Sequence, residues 1–161
     1  MGLFSSAARV DSRLRSVLIG GTQEDLKRVR KAQDAILSAL KPEERLIFVV
    51  ADTHFGFVWA FTDQRLLETQ GRSVSYDLAL SKIAETELRH AVWTSPEDVR
   101  YCCFVHWRGG QLRALSGHVN SNGFLMLERV NGEDEARRIA ELIDASLAES
   151  GPAPQGTGPC D

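Results

Sequence analysis

The chain has 161 residues, 43% of them hydrophobic and 25% charged, with a formal net charge of −3. Those totals fit one domain with a proper core and exclude a wholly disordered chain. They argue against a nucleic-acid binder that works by bulk positive charge, and no apolar run reaches the length of a membrane span.

Residues 1–20 form a zone of their own. Leu3, Ala7, Val10, Leu14 and Val17 recur at spacings of four and three, which predicts a short amphipathic helix with Arg9, Arg13 and Arg15 off its apolar stripe. Gly20-Gly21 ends it. Thr22 then reads as an N-cap, with Glu24 and Asp25 at the positive helix end, and Leu26, Val29, Ile36, Leu37 and Leu40 hold helical spacing until Lys41-Pro42. A helix is therefore expected over 22–40.

Short strands follow at high density. Arg45–Ala51, Phe57–Thr62, Arg65–Thr69, Val74–Leu78, Ile83–His90, Tyr101–Trp107 and Leu112–Ser116 make seven, separated by turn residues such as Asp63-Gln64, Gly71-Arg72 and Gly109-Gly110. This density suggests an antiparallel meander that closes on itself. Phe124–Val130 fits a short helix or an extra strand equally well. After Asn131-Gly132, three acidic residues open a last helix whose face is Ala136, Ile139, Ala140, Ile143 and Leu147. Residues 151–161, with three prolines and three glycines, read as a disordered tail, so the domain proper spans 21–150.

The order and several short motifs resemble a bacterial pleckstrin-homology-like (PH-like) domain of the GRAM-like and YokE-like sort. Glu43-Glu44-Arg45-Leu46 is similar to the start of that family's first strand, and Phe61-Thr62-Asp63-Gln64-Arg65-Leu66 to its second hairpin. Leu78 and Ser81-Lys82-Ile83 resemble the lead into the fifth strand, and the likeness spans about residues 42 to 149. It implies an α+β, mostly β fold: a seven-stranded antiparallel barrel closed by a C-terminal helix and preceded by one or two N-terminal helices. The motif residues also have a local reading. Asp63 favours a turn by bonding its own backbone, and Arg65 bridges a carboxylate across the hairpin, an exposed pair worth only about 0.2–1 kcal/mol.

In that family the loops at the open end hold ligands. Here they would be 52–56, 71–73 and 108–110, and they offer His54, Phe55, Arg72 and Arg108 as candidate ligand-binding residues. Two arginines suit one phosphate or carboxylate rather than a multiply charged inositol headgroup. Catalytic and metal templates fail. Ser116 and His118 lack a nucleophile elbow, and His54, His90, His106 and His118 lack ligand spacing. His106 reads as a half-buried core edge. Gly20-Gly21-Thr22 before a helix has neither a preceding strand nor a following Gly-Lys pair, so it is not read as a phosphate loop. No catalytic residue, metal or cofactor is expected.

Cys102 and Cys103 are adjacent and Cys160 lies in the tail, a poor disulfide framework; the pair reads as small buried hydrophobes. No secretory signal opens the chain, which reads as cytoplasmic. Met1-Gly2-Leu3-Phe4-Ser5-Ser6 matches the loose myristoylation pattern; the bacterial source that the resemblance implies would make that modification unexpected.

Two early strands are apolar on both sides. Leu46, Phe48 and Val50 oppose Ile47, Val49 and Ala51, and Phe57, Trp59 and Phe61 oppose Val58 and Ala60. A barrel buries one face of each strand, so the other needs cover. Helix 22–40 is the expected lid, and self-association through that face the runner-up. The functional expectation is a non-catalytic binding or scaffold module engaging a protein partner or its own copies, without nucleic acid. The alternative is peripheral membrane targeting by Leu3, Phe4, Val10 and Leu14 of the N-terminal segment.

Overall fold

The computed structural model describes residues 9–115, 117 and 119–151. Asp11 starts the first turn: its carboxylate accepts from the Arg13 N–H at 2.9 Å and caps a single helical turn, α1 (Ser12–Arg15). The chain then leaves the helix. Val17 accepts a backbone bond from Val49 at 3.0 Å, and Leu18–Ile19 (β1) pairs parallel with Val49 and Val50. The helix expected over 1–20 is corrected, within the described residues, to four residues. A sheet edge gives this segment's backbone its partners, while Val10 and Leu14 still turn inward and are buried. Leu3, Phe4 and the Met1–Ser6 pattern lie outside the described residues, as do the tail residues 152–161.

Helix α2 (Gln23–Ala39) starts where the sequence places it. The Thr22 hydroxyl accepts from the Asp25 N–H and the Asp25 carboxylate accepts from the Thr22 N–H, both at 3.1 Å, a reciprocal cap. Leu40 is extended and ends the helix ahead of Lys41-Pro42.

Strands β2 (Leu46–Ala51), β3 (Val58–Thr62), β4 (Arg65–Gln70) and β5 (Ser73–Ala79) follow as an antiparallel meander, and with β1 they form a sheet in the order β1-β2-β3-β4-β5. A 3-10 turn (Leu80–Lys82) leads into β6 (Ile83–Val92) and β7 (Val99–Trp107). Two short strands, β8 (Leu112–Arg113) and β9 (Val119–Asn120), pair with each other. β10 (Phe124–Val130) pairs with the far side of β7, giving a second sheet in the order β10-β7-β6, and α3 (Glu133–Glu149) closes the chain. The ambiguous segment 124–130 is thus a strand, with Leu125 and Leu127 turned into the core.

The fold is α+β and mostly sheet, with three α-helices among the described residues. The hydrogen-bonded ladders do not run round one closed ring: they divide into two principal sheets and the β8–β9 ribbon. The reason lies at the 3-10 turn, where the chain passes from β5 to β6 without pairing them.

The principal core lies between the sheets. Phe48, Val50, Trp59, Phe61 and Leu78 meet Val105, Trp107 and Leu127, and α3 adds Ile139, Ala140 and Ile143. A second core lies outside the first sheet. There Val29, Ala32 and Ile36 of α2, with Val10 and Leu14, cover Val49, Ala51, Val58, Ala60 and Leu67. This is the lid expected from the doubly apolar strands. Fully burying each large aliphatic side chain contributes about 1.5–3 kcal/mol, so α2 is an integral part of the fold. One detail of the parity differs. A bulge between Leu46 and Phe48 turns Leu46 toward the α2 side and Ile47 toward the principal core.

The Thr62–Arg65 motif is more deeply built than a surface pair. Arg65 donates to Glu44 at 2.8 and 3.0 Å, to Asp77 at 2.6 Å and to the Ala39 carbonyl at 2.5 Å, stapling the end of α2 to the β3–β4 turn and β5. The turn is held by the Thr62 hydroxyl, which accepts from the Gln64 and Arg65 N–H groups, while Asp63 accepts from the Arg45 N–H. Burial opposes ionisation of Glu44. The Arg65 guanidinium, the Lys41 N–H and the Thr62 hydroxyl outweigh it and bring the carboxyl down to about 2.

Candidate functional site

With Val29, Ala32 and Ile36 turned to the sheet, helical geometry turns Lys27, Arg30 and Lys31 to solvent. Two loops approach this side of α2. The β2–β3 loop turns at Gly56 (φ 78°) and the β4–β5 hairpin at Gly71 (φ 60°). Gly56 supplies the left-handed backbone of this turn, and a Cβ there would only touch the Arg28 side chain, 3.4 Å from its Nε, which places the loop against α2. Between helix and loops lies a groove of about 360 Å³ bordered by Lys27, Arg28, Lys31, Phe55, Gly56 and Gly71, with Glu24 its one carboxylate. It continues along α2 into a second cleft lined by Lys27, Arg30, Lys31 and Arg72 together with Gln33 and Asp34. Arg9 and Arg15 extend the same basic surface past Arg30.

Most of these cations are uncommitted. Arg28 donates to the Asp52 carbonyl and pairs with Glu24 at 3.4 Å. Lys27, Arg30, Lys31 and Arg72 form no ion pair with any described residue. Phe55 stands over the groove's edge with 68% of its surface exposed, its ring met edge-on by His54 at 4.4 Å between centroids. The loop is rigidly tied. Buried Asp52 accepts from the His54, Phe55 and Glu128 N–H groups, and the Thr53 N–H donates to the Glu128 carbonyl. The loop's one carboxylate is therefore taken up by backbone N–H groups of the loop itself and of β10.

Of the four expected ligand residues, the structure gathers three at this end of the molecule: His54 and Phe55 in one loop and Arg72 in the next. Arg108 is elsewhere. His54 sits 3.2 Å from Arg100 near the start of β7, whereas Arg108 follows the other end of that strand, roughly 25 Å along an extended chain. Val10 and Leu14, expected at a membrane or partner, belong instead to the core under α2.

No match was found to any protein-family model, curated protein or solved structure at a significant level. The site therefore rests on its own geometry.

Among the described residues no three His, Cys, Asp or Glu side chains converge as a metal site, and no helix is long and apolar enough to cross a membrane. Ser116, His118 and Cys160 lie outside the described residues. His106 is half-buried, as expected, but on the outer face of the second sheet rather than at the edge of the principal core: its Nε2 lies 2.9 Å from Glu87 and its ring packs with Phe104 and Phe124. Cys103 is fully buried, and burial pushes its thiol up to about 12; Cys102 faces the opposite side. At Gly20-Gly21-Thr22 a two-residue strand does precede the turn, contrary to expectation. Yet the Asp25 carboxylate accepts from both the Gly21 and Thr22 N–H groups, so the place a phosphate would take is filled by the chain's own acid.

The α2 cations were the residues that sequence reasoning passed over. Lys27, Arg30 and Lys31 are visible as the off-stripe positions of the helix expected over 22–40, but the resemblance directs attention to charge in the loops.

Proposed function

We propose that this chain is a non-catalytic binding module of the PH-like kind whose α2 groove takes a carboxylate-rich segment of a protein partner. The observation that carries the reading is the row of Lys27, Arg30, Lys31 and Arg72, without anionic partners among the described residues, on a chain whose net charge is −3. An acidic chain that segregates cations beside a concave surface creates a local field of the opposite sign to its total. Phe55 at the edge offers an apolar anchor, the kind of residue that gives such a contact energy beyond charge. The PH-like assignment is supported by element order: a helix, an antiparallel meander, a second sheet, and a closing helix packed into the core between the sheets. A protein segment is preferred to a lipid surface because Val10 and Leu14 are already used in the core.

The test is fluorescence anisotropy with a labelled Asp/Glu-rich peptide containing one aromatic residue. Saturable binding is expected that weakens as salt rises. The double reversal Lys27→Glu/Lys31→Glu should weaken it by at least about tenfold, a loss of about 1.4 kcal/mol or more. The same charge change at exposed Lys82 and Arg113 should leave it nearly unchanged. Equal weakening by both pairs, or binding to phosphatidylserine vesicles without binding to the peptide, would overturn the reading.

A further inference from the structure

β6 is the outer strand of the second sheet, and from Ala84 to Val92 its backbone pairs only with β7 among the described residues. It is ten residues long, against a usual five or six. Proteins commonly blunt such edges with charges, proline or a bulge. Here the bulge lies at the strand's start, between Ile83 and Glu85, and proline is absent from 84–92. The charges Glu85, Glu87 and Arg89 are of both signs, so they can meet their opposites on a second copy. Leu88 on this strand is 44% exposed, beside Ala136 and Arg137 of α3.

We infer that β6 pairs antiparallel with β6 of a second copy of this chain, about a two-fold axis at Leu88. Register selects this axis. Residues directly opposite in an antiparallel ladder share a face, and a strand meeting itself along one edge pairs positions of the same parity. The axis can therefore move only in whole-residue steps. At Leu88 it sets Leu88 on its own copy, Glu87 on Arg89, Thr86 on His90 and Glu85 on Ala91, all within the regular part of the strand beyond the bulge at Ala84. One step either way places Glu87 on Glu87 or Arg89 on Arg89, like charges directly opposed and unfavourable. Glu87 and Arg89 already share the solvent face of the sheet, 2.7 Å apart within one copy. In the pair of copies they form a four-charge cluster, with Leu88 meeting Leu88 on the other face. The two three-stranded sheets become one of six strands.

Sedimentation velocity of the full-length protein, over roughly 1–100 μM, tests this because a homodimer dissociates on dilution. A monomer–dimer equilibrium is expected. Glu87→Arg opposes arginines at two symmetric places and should raise the dissociation constant at least about tenfold, and Glu87→Arg/Arg89→Glu should restore it. In parallel, Leu88→Cys under mild oxidation should give a covalent dimer joined at position 88, since directly opposite residues sit within disulfide reach. A monomer at every concentration, a dimer indifferent to the single reversal, a double variant that fails to recover, or no cross-link at position 88 would overturn the inference.

Discussion

Asp25→Ala is expected to destabilise the protein by about 3–5 kcal/mol, the range for breaking a buried ion pair from one side. Asp25 and Arg129 are 2% and 3% exposed and joined by two bonds, of 2.7 and 3.0 Å. Arg129 also donates to the Ala51 carbonyl at 2.9 Å and to Glu135 at 2.5 Å, so one guanidinium ties the start of α2, the end of β2 and the first turn of α3. Burial works against the ionised Asp25, and the Arg129 bonds outweigh it and hold the carboxyl below its usual range. Removing the carboxylate leaves the guanidinium in the interior and also strips the Gly21 and Thr22 N–H groups of their acceptor. Thr22→Ala, which removes a capping hydroxyl alone, should cost only about 1 kcal/mol. Urea unfolding of the two variants separates the contributions. A loss for Asp25→Ala no larger than that for Thr22→Ala would mean that the pair is not closed in solution.

Glu68→Gln is expected to do the reverse and stabilise the protein near pH 8. Glu68 lies on the inner face of the first sheet in a row with Val50, Trp59 and Tyr76, and accepts from the Trp59 indole N–H at 2.9 Å. Burial pushes its carboxyl up to about 7; the Trp59 bond opposes the shift and the Asp52 charge adds to it. The unfolded chain ionises near 4.5 while the folded one holds the proton to about 7, so folding binds protons and stability falls as pH rises through this window. The loss comes to about 3 kcal/mol and is constant above it. Glutamine keeps an acceptor for Trp59 and carries no charge, so the variant should gain about 2–3 kcal/mol at pH 8 and nothing at pH 4. Thermal melts at the two pH values should show it, as a rise of roughly 6–10 °C at the higher one alone. Glu44 slopes the other way: its stabilisation is complete above 4.5 and is lost as pH falls toward 2.

The cover of the first sheet was legible because its signal is local. Strands β2 and β3 carry apolar side chains at both parities, and a helix with an unexplained stripe precedes them, so the packing of Val29 and Ile36 on Val49 and Ala60 followed from spacing. Features decided across long sequence distance were not legible. Phe124–Val130 fits either element because Phe124–Leu127 is one unbroken apolar run without alternation, and its core face ends in a charged residue, the buried Arg129. Its partner Asp25 is 104 residues away and read only as a helix-start acid. Ring closure is likewise a matter of which edges meet, and nothing in the turn residues between β5 and β6 shows that these two stay unpaired. The groove fell between the two cases. Its cations stand in plain sight on α2, but only the fold brings Gly56 and Gly71 up against them.

Native-state hydrogen exchange on the full-length chain addresses most directly the claim that α2 is sealed to the sheet and thereby presents its basic side outward. The amides of Val29, Ala32 and Ile36 should be protected as strongly as those of Val49 and Ala60, exchanging only when the whole domain opens. Exchange in α2 about a hundredfold faster than in those strands would show a helix that detaches on its own, and the account would be contradicted.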